Sequence, residues 1–117
     1  MADVLVYGGD LLIYSRVATQ LEPRGHHVRR AGVGQSPAPA DVALCDVEAV
    51  DPSDAVRLLR PARLLGFGSH DSPAALRAAR AAGMDRVVAR SAVAERLPAL
   101  LDELLATMPL DATSERR

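Results

Sequence analysis

A chain of 117 residues with 49% hydrophobic and 25% charged side chains has room for one modest core and reads as a single globular domain, not as a disordered segment. Its net charge of −1 supplies no field that draws nucleic acid or anionic lipid, and 3% aromatic content without Trp excludes stacking platforms for single strands. The lone cysteine, Cys45, excludes an intrachain disulfide and a multi-thiolate metal centre.

The amino terminus lacks the pattern of a signal peptide, and no apolar run approaches the ~20 residues a membrane helix needs, so a reducing cytoplasm is the expected compartment. All 14 basic side chains are Arg, which reads as codon usage in a GC-rich genome.

Residues 4–7 (VLVY) form a continuous apolar run that ends at Gly8-Gly9, as expected of a strand buried on both faces. Asp10 is placed to cap a helix in which Ile13, Val17 and Leu21 recur at spacing four, and Pro23 and Gly25 stop it. A second strand is expected over 27–30. Residues 32–40 (GVGQSPAPA) carry Gly and Pro without helical period and read as a loop.

The third strand is expected over 41–45. Asp51-Pro52 opens a short helix ending before Pro61, with Asp as cap and Pro at the first helical position. A fourth strand covers 63–67, and Ser72-Pro73 repeats the cap-then-Pro signal for a helix closed by Gly83. Val87 and Val88 anchor a fifth strand. The last helix lies within 91–106, where Pro98 implies a late start or a kink. Residues 107–117 are polar and are expected to form a flexible tail after a domain spanning 1–106.

Strands alternating with helices predict an α/β doubly wound parallel sheet, with any ligand site at the carboxyl ends of the strands. That edge gathers Gly8, Gly9, Asp10, Asp46, Gly68, Ser69 and Arg90.

In order and spacing, three segments resemble the receiver domain of response regulators. Residues 4–25 (VLVYGGDLLIYSRVATQLEPRG) resemble its first strand, acidic turn and first helix. Residues 40–46 (ADVALCD) resemble the third strand, and 64–90, with RAARAAGMDRVVAR, resemble the fourth strand through the fifth. The resemblance implies a CheY-like (flavodoxin-like) five-stranded sheet in the order 2-1-3-4-5, with the second helix replaced by the loop at 32–40.

The resemblance also places Asp46 at the phosphoacceptor position. It places Gly8 and Gly9 on the acidic pair that holds a divalent ion, Gly68 on the Ser or Thr that touches the phosphoryl group, and Arg90 on the invariant Lys. Ser91 stands where a Pro usually follows that Lys. Magnesium needs carboxylate oxygen, which two glycines do not supply, so the expectation is a pseudo-receiver with no metal, cofactor or catalytic residue of its own. An Arg90–Asp46 ion pair is the expected substitute for the family's Lys–Asp bridge.

Two alternatives remain at this point. One is a single-domain two-component regulator phosphorylated on Asp46, for which Asp10 or Ser69 would be accessory. The other is a small anion or nucleotide binder at the Gly8-Gly9 turn, although a dinucleotide fingerprint lacks its third glycine and a cobalamin signature lacks its His.

Cys45 reads as a buried core thiol, and His26, His27 and His70 as loop histidines without ligand spacing. Ser69-His70-Asp71 are sequence neighbours and not a nucleophile system. The expected partner is another signalling protein or a second copy, engaged through the receiver's fourth and fifth helices. Arg77, Arg80, Arg86, Arg96, Asp102 and Glu103 are either contacts on that face or solvated charge. Nucleic acid and membrane are not expected partners.

Overall fold

The computed structural model describes residues 1–106; the tail expected over 107–117 lies outside the described residues. Chain order is β1 (Asp3–Tyr7), α1 (Leu11–Leu21), a 3-10 turn (Glu22–Arg24), β2 (His27–Ala31), β3 (Val42–Asp46), α2 (Pro52–Leu59), β4 (Arg63–Gly68), α3 (Pro73–Ala81), β5 (Arg86–Ala89) and α4 (Arg90–Ala106). All strand pairs are parallel, in the order β2-β1-β3-β4-β5. The doubly wound sheet expected from the alternating pattern is present, and no helix intervenes between β2 and β3.

Because side chains alternate along a strand, each central strand feeds two cores. Val4, Val6, Leu44, Leu65 and Phe67 join Ile13, Val17 and Leu21 of α1 and Val93, Leu97, Leu100, Leu101 and Leu104 of α4. On the opposite face Leu5, Tyr7, Ala43, Cys45 and Leu64 pack with Ala55 and Leu59 of α2 and Ala79 of α3. The loop that replaces a helix lies at the edge of this second face. Arg29 anchors it, with Nη2 donating to the carbonyls of Ala38 (2.7 Å) and Pro39 (2.8 Å) and Nε reaching Asp3 Oδ1 at 3.1 Å.

Asp10 caps α1, its Oδ1 accepting the Ile13 N–H at 2.9 Å, and Asp51 caps α2 through Oδ2 and the Asp54 N–H. The cap expected at Ser72 differs: its side chain makes no cap bond, because the hydroxyl is committed to Glu48. Pro98 produces a kink, not a late start. The helix begins at Arg90 and breaks at Arg96 (φ −130°, ψ 20°), since proline lacks the N–H for the preceding turn and crowds its carbonyl. β3 extends one residue further than expected, which makes Asp46 its last residue.

Candidate functional site at the carboxyl edge of the sheet

The strand order reverses between β1 and β3, and the ends of β1, β3, β4 and β5 meet at that edge. Asp46 ends β3, only 9% exposed, and lies in register with Phe67 of β4. Its Oδ1 accepts the Glu48 N–H at 3.0 Å, closing a turn, and its Oδ2 lies 3.3 Å from Arg90 Nη2. Arg90 opens α4 directly after β5, and its guanidinium carbon sits 5.4 Å from the Phe67 ring centroid. The planar charge therefore rests on an aromatic face while one edge reaches the acid. The structure brings together the pair that sequence spacing alone leaves 44 residues apart.

Glu48 is the member that reading the sequence missed. Its Oε2 accepts the Ser69 N–H at 2.6 Å and lies 3.5 Å from the same Arg90 Nη2; its Oε1 accepts the Ser72 hydroxyl at 2.9 Å. The Ser69 N–H, the Ser72 hydroxyl and Arg90 hold the Glu48 carboxyl below its ordinary range, against desolvation acting the other way. An acid two residues past the strand-end acid was the available signal. Its partners become visible only once β3, β4 and β5 are in register.

The two glycines at the end of β1 are tightly enclosed. Gly8 has φ +82°, donates its N–H to Ala31 O at 3.0 Å, and a Cβ there would meet Val50 Cγ1 at 2.6 Å. A Cβ at Gly9 would meet Ile13 Cγ2 at 2.5 Å and Val6 Cγ1 at 3.0 Å. No side-chain oxygen is available at either position, and the backbone of Gly8 already serves the sheet. Asp10 is occupied as a helix cap. Asp46 and Glu48 converge on Arg90, and among the described residues no group of three His, Cys, Asp or Glu side chains is placed to hold a metal ion. At positions 8 and 9 the residues present offer a divalent cation no side-chain ligand.

Gly68 leaves space that Glu48 fills, for a Cβ there would stand 3.3 Å from Glu48 Oε2 and 3.2 Å from Val47 Cγ2. Ser69 contributes its backbone N–H to Glu48, while its hydroxyl accepts the Asp71 N–H at 3.0 Å. The other candidates do not join the site. Cys45 is fully buried, and burial pushes its thiol up to about 12. His26 Nδ1 accepts the Ala2 N–H, His27 is exposed on β2, and His70 pairs with Asp71 in solvent.

On the α3–β5–α4 face Arg86 pairs with Glu103, whereas Arg77, Arg80, Arg96 and Asp102 are exposed. A cleft of about 330 Å³ lies between α1 and α4, lined by Asp10, Leu12, Ile13, Arg16, Arg90, Ser91 and Ala94. Among the described residues no helix is long and apolar enough to cross a membrane.

No family model matches the sequence, and no curated protein matches it. Solved structures do. NtrX from Brucella abortus superposes with a TM-score of 0.81 at 18% identity, over 99% of this chain and 29% of that one, so the chain spans less than a third of that protein's length. The chemotaxis response regulator CheY4 of Vibrio cholerae gives 0.72 at 20% identity, over 89% of this chain and 98% of that one. A response regulator from Burkholderia pseudomallei, solved with a phosphorylated aspartic acid, a calcium ion and citrate, gives 0.68 at 22% identity, over 95% and 75% of the two chains. These likenesses agree with the strand order and with helices on both faces of the sheet: the chain has the CheY-like fold of response-regulator receiver domains.

Proposed function

We propose that the chain is a non-enzymatic receiver-fold module for signalling or protein interaction, a pseudo-receiver that does not take a phosphoryl group on Asp46 by the magnesium-dependent route. The observation that carries this reading is the enclosure of Gly8 and Gly9, where an acid would collide with Val50 or Ile13. Phosphoryl transfer to a carboxylate needs a cation to neutralise the incoming oxygens, and one or two carboxylates to hold that cation. Here Asp46 already faces a fixed guanidinium, whose charge is shared with Glu48.

The module works in the cytoplasm, and its partner is a protein. That partner is either another signalling protein or a second copy docking on the face made by α3, β5 and α4, elements on which Arg77, Arg80, Arg96 and Asp102 are exposed.

The deciding experiment is incubation with a small phosphodonor and magnesium, followed by intact-mass measurement. An unchanged mass is expected. Gain of one phosphoryl group that disappears in Asp46→Ala would instead make the chain a single-domain regulator phosphorylated on Asp46.

A further inference from the structure

The three donors around Glu48 come from different parts of the chain and converge on one side chain. Ser69 N–H belongs to the turn after β4, the Ser72 hydroxyl to the residue preceding α3, and Arg90 to the start of α4. An isolated surface ion pair contributes little, but this carboxylate has a backbone donor, a hydroxyl and a guanidinium on its two oxygens. Two further features point the same way. Ser72 precedes the first turn of a nine-residue helix yet leaves it without a side-chain cap, its hydroxyl turned to Glu48. Gly68 lacks the side chain that would crowd Glu48 Oε2.

The same Arg90 nitrogen touches both acids, at 3.3 Å from Asp46 and 3.5 Å from Glu48. A negative charge is therefore already lodged beside Asp46, between Arg90 and the β4–α3 turn. Any anionic group added to Asp46 would compete with Glu48 for Arg90.

We infer that Glu48 is a built-in anionic ligand of the β4–α3 turn: its carboxylate latches Ser69, Ser72 and Arg90 together, and so holds the start of α3 and of α4 in one arrangement with nothing added to Asp46. The latch deepens the pseudo-receiver reading by naming what replaces a phosphoryl signal, yet it stands on the contacts of Glu48 and not on whether Asp46 can be modified. A partner that reads the α3–β5–α4 face then meets a single fixed state.

The test is amide hydrogen exchange of the full chain read by NMR, without phosphodonor. Glu48 is exposed, so its replacement leaves the core intact. In Glu48→Ala the Ser69 amide is expected to exchange several-fold faster and to move upfield, with the change confined to the β4–α3 turn and the start of α4. Glu48→Gln retains an acceptor without charge and is expected to fall between Glu48→Ala and the parent. Asp46→Asn, which keeps an acceptor for the Glu48 N–H, is expected to leave Ser69 protected.

Unchanged Ser69 exchange in Glu48→Ala would overturn the latch, as would loss of protection in Asp46→Asn equal to that in Glu48→Ala. A phosphoryl group found on Asp46 in the mass experiment would refute the pseudo-receiver reading alone, because Ser69 exchange is measured independently of it.

Discussion

At Gly9 the backbone leaves a buried position in which Ile13 Cγ2 and Val6 Cγ1 occupy the volume of a side chain. Both neighbours belong to the main core, at 3% and 0% exposure, so neither can give way cheaply. Restoring an acid there is expected to destabilise the fold by overpacking, about 1–3 kcal/mol, with a further cost from a carboxylate lacking partners. Gly9→Asp should therefore lower the urea midpoint and confer no magnesium-dependent change in stability. A Gly9→Asp protein as stable as the parent that also gained stability from magnesium would show that the turn still accommodates a metal ligand. The same reasoning applies more strongly at Gly8, where the positive φ adds backbone strain to the collision with Val50.

Between elements, Asp85 fixes the end of the molecule opposite the site. Its Oδ2 accepts the Leu64 N–H at 2.8 Å and Arg60 Nη1 at 2.8 Å, and Arg63 lies 3.7 Å from Oδ1. Arg60 also donates to the Gly83 carbonyl at 2.7 Å, so the end of α2, the start of β4 and the turn before β5 are tied to one carboxylate. Partial burial favours the protonated acid. The Arg60 and Leu64 hydrogen bonds and the two guanidinium charges outweigh it, and the pKa falls below the ordinary 3.8.

A folded-state pKa lower than the unfolded one means that the unfolded chain binds the proton more tightly. The contribution of Asp85 is thus fully present above about pH 4 and is lost as pH falls through the depressed folded value. Urea titrations should show a midpoint falling below pH 4, and Asp85→Asn should remove part of that fall. At neutral pH the same change should cost about 1 kcal/mol, discounted for partial exposure. An identical acid limb in Asp85→Asn would assign the loss to other carboxylates.

Across the whole molecule, the central strands separate two cores, and Cys45 reports on their joint opening. Its thiol is fully buried in the face covered by α2 and α3, with its pKa pushed up to about 12, so reaction with a thiol reagent requires exposure of the sheet. The labelling rate of Cys45 should follow the denaturant dependence of global unfolding. Rapid labelling without denaturant would mean that the α2–α3 layer opens separately from α1 and α4.

Much of the architecture is legible in the sequence alone. The apolar run at 4–7, the cap-and-proline signals at Asp51-Pro52 and the period of Ile13, Val17 and Leu21 are local consequences of backbone geometry, and each element stands where those signals place it. The five-stranded order followed from the resemblance and agrees with the structure.

The site was only partly legible, because its partners are set by strand register. Nothing near Glu48 in the chain announces that its oxygens receive Ser69, 21 residues on, or Ser72, 24 residues on. Ser72 shows why local signals are insufficient there: its hydroxyl can serve a helix end or a distant carboxylate, and proximity of Glu48 decided for the carboxylate. By itself the sequence determined the order of elements and the absence of side-chain oxygen at positions 8 and 9, since both are properties of the residues themselves. Only the tertiary structure decided that those glycines are enclosed, and that one arginine answers two acids, because both depend on which atoms the packed sheet brings within contact.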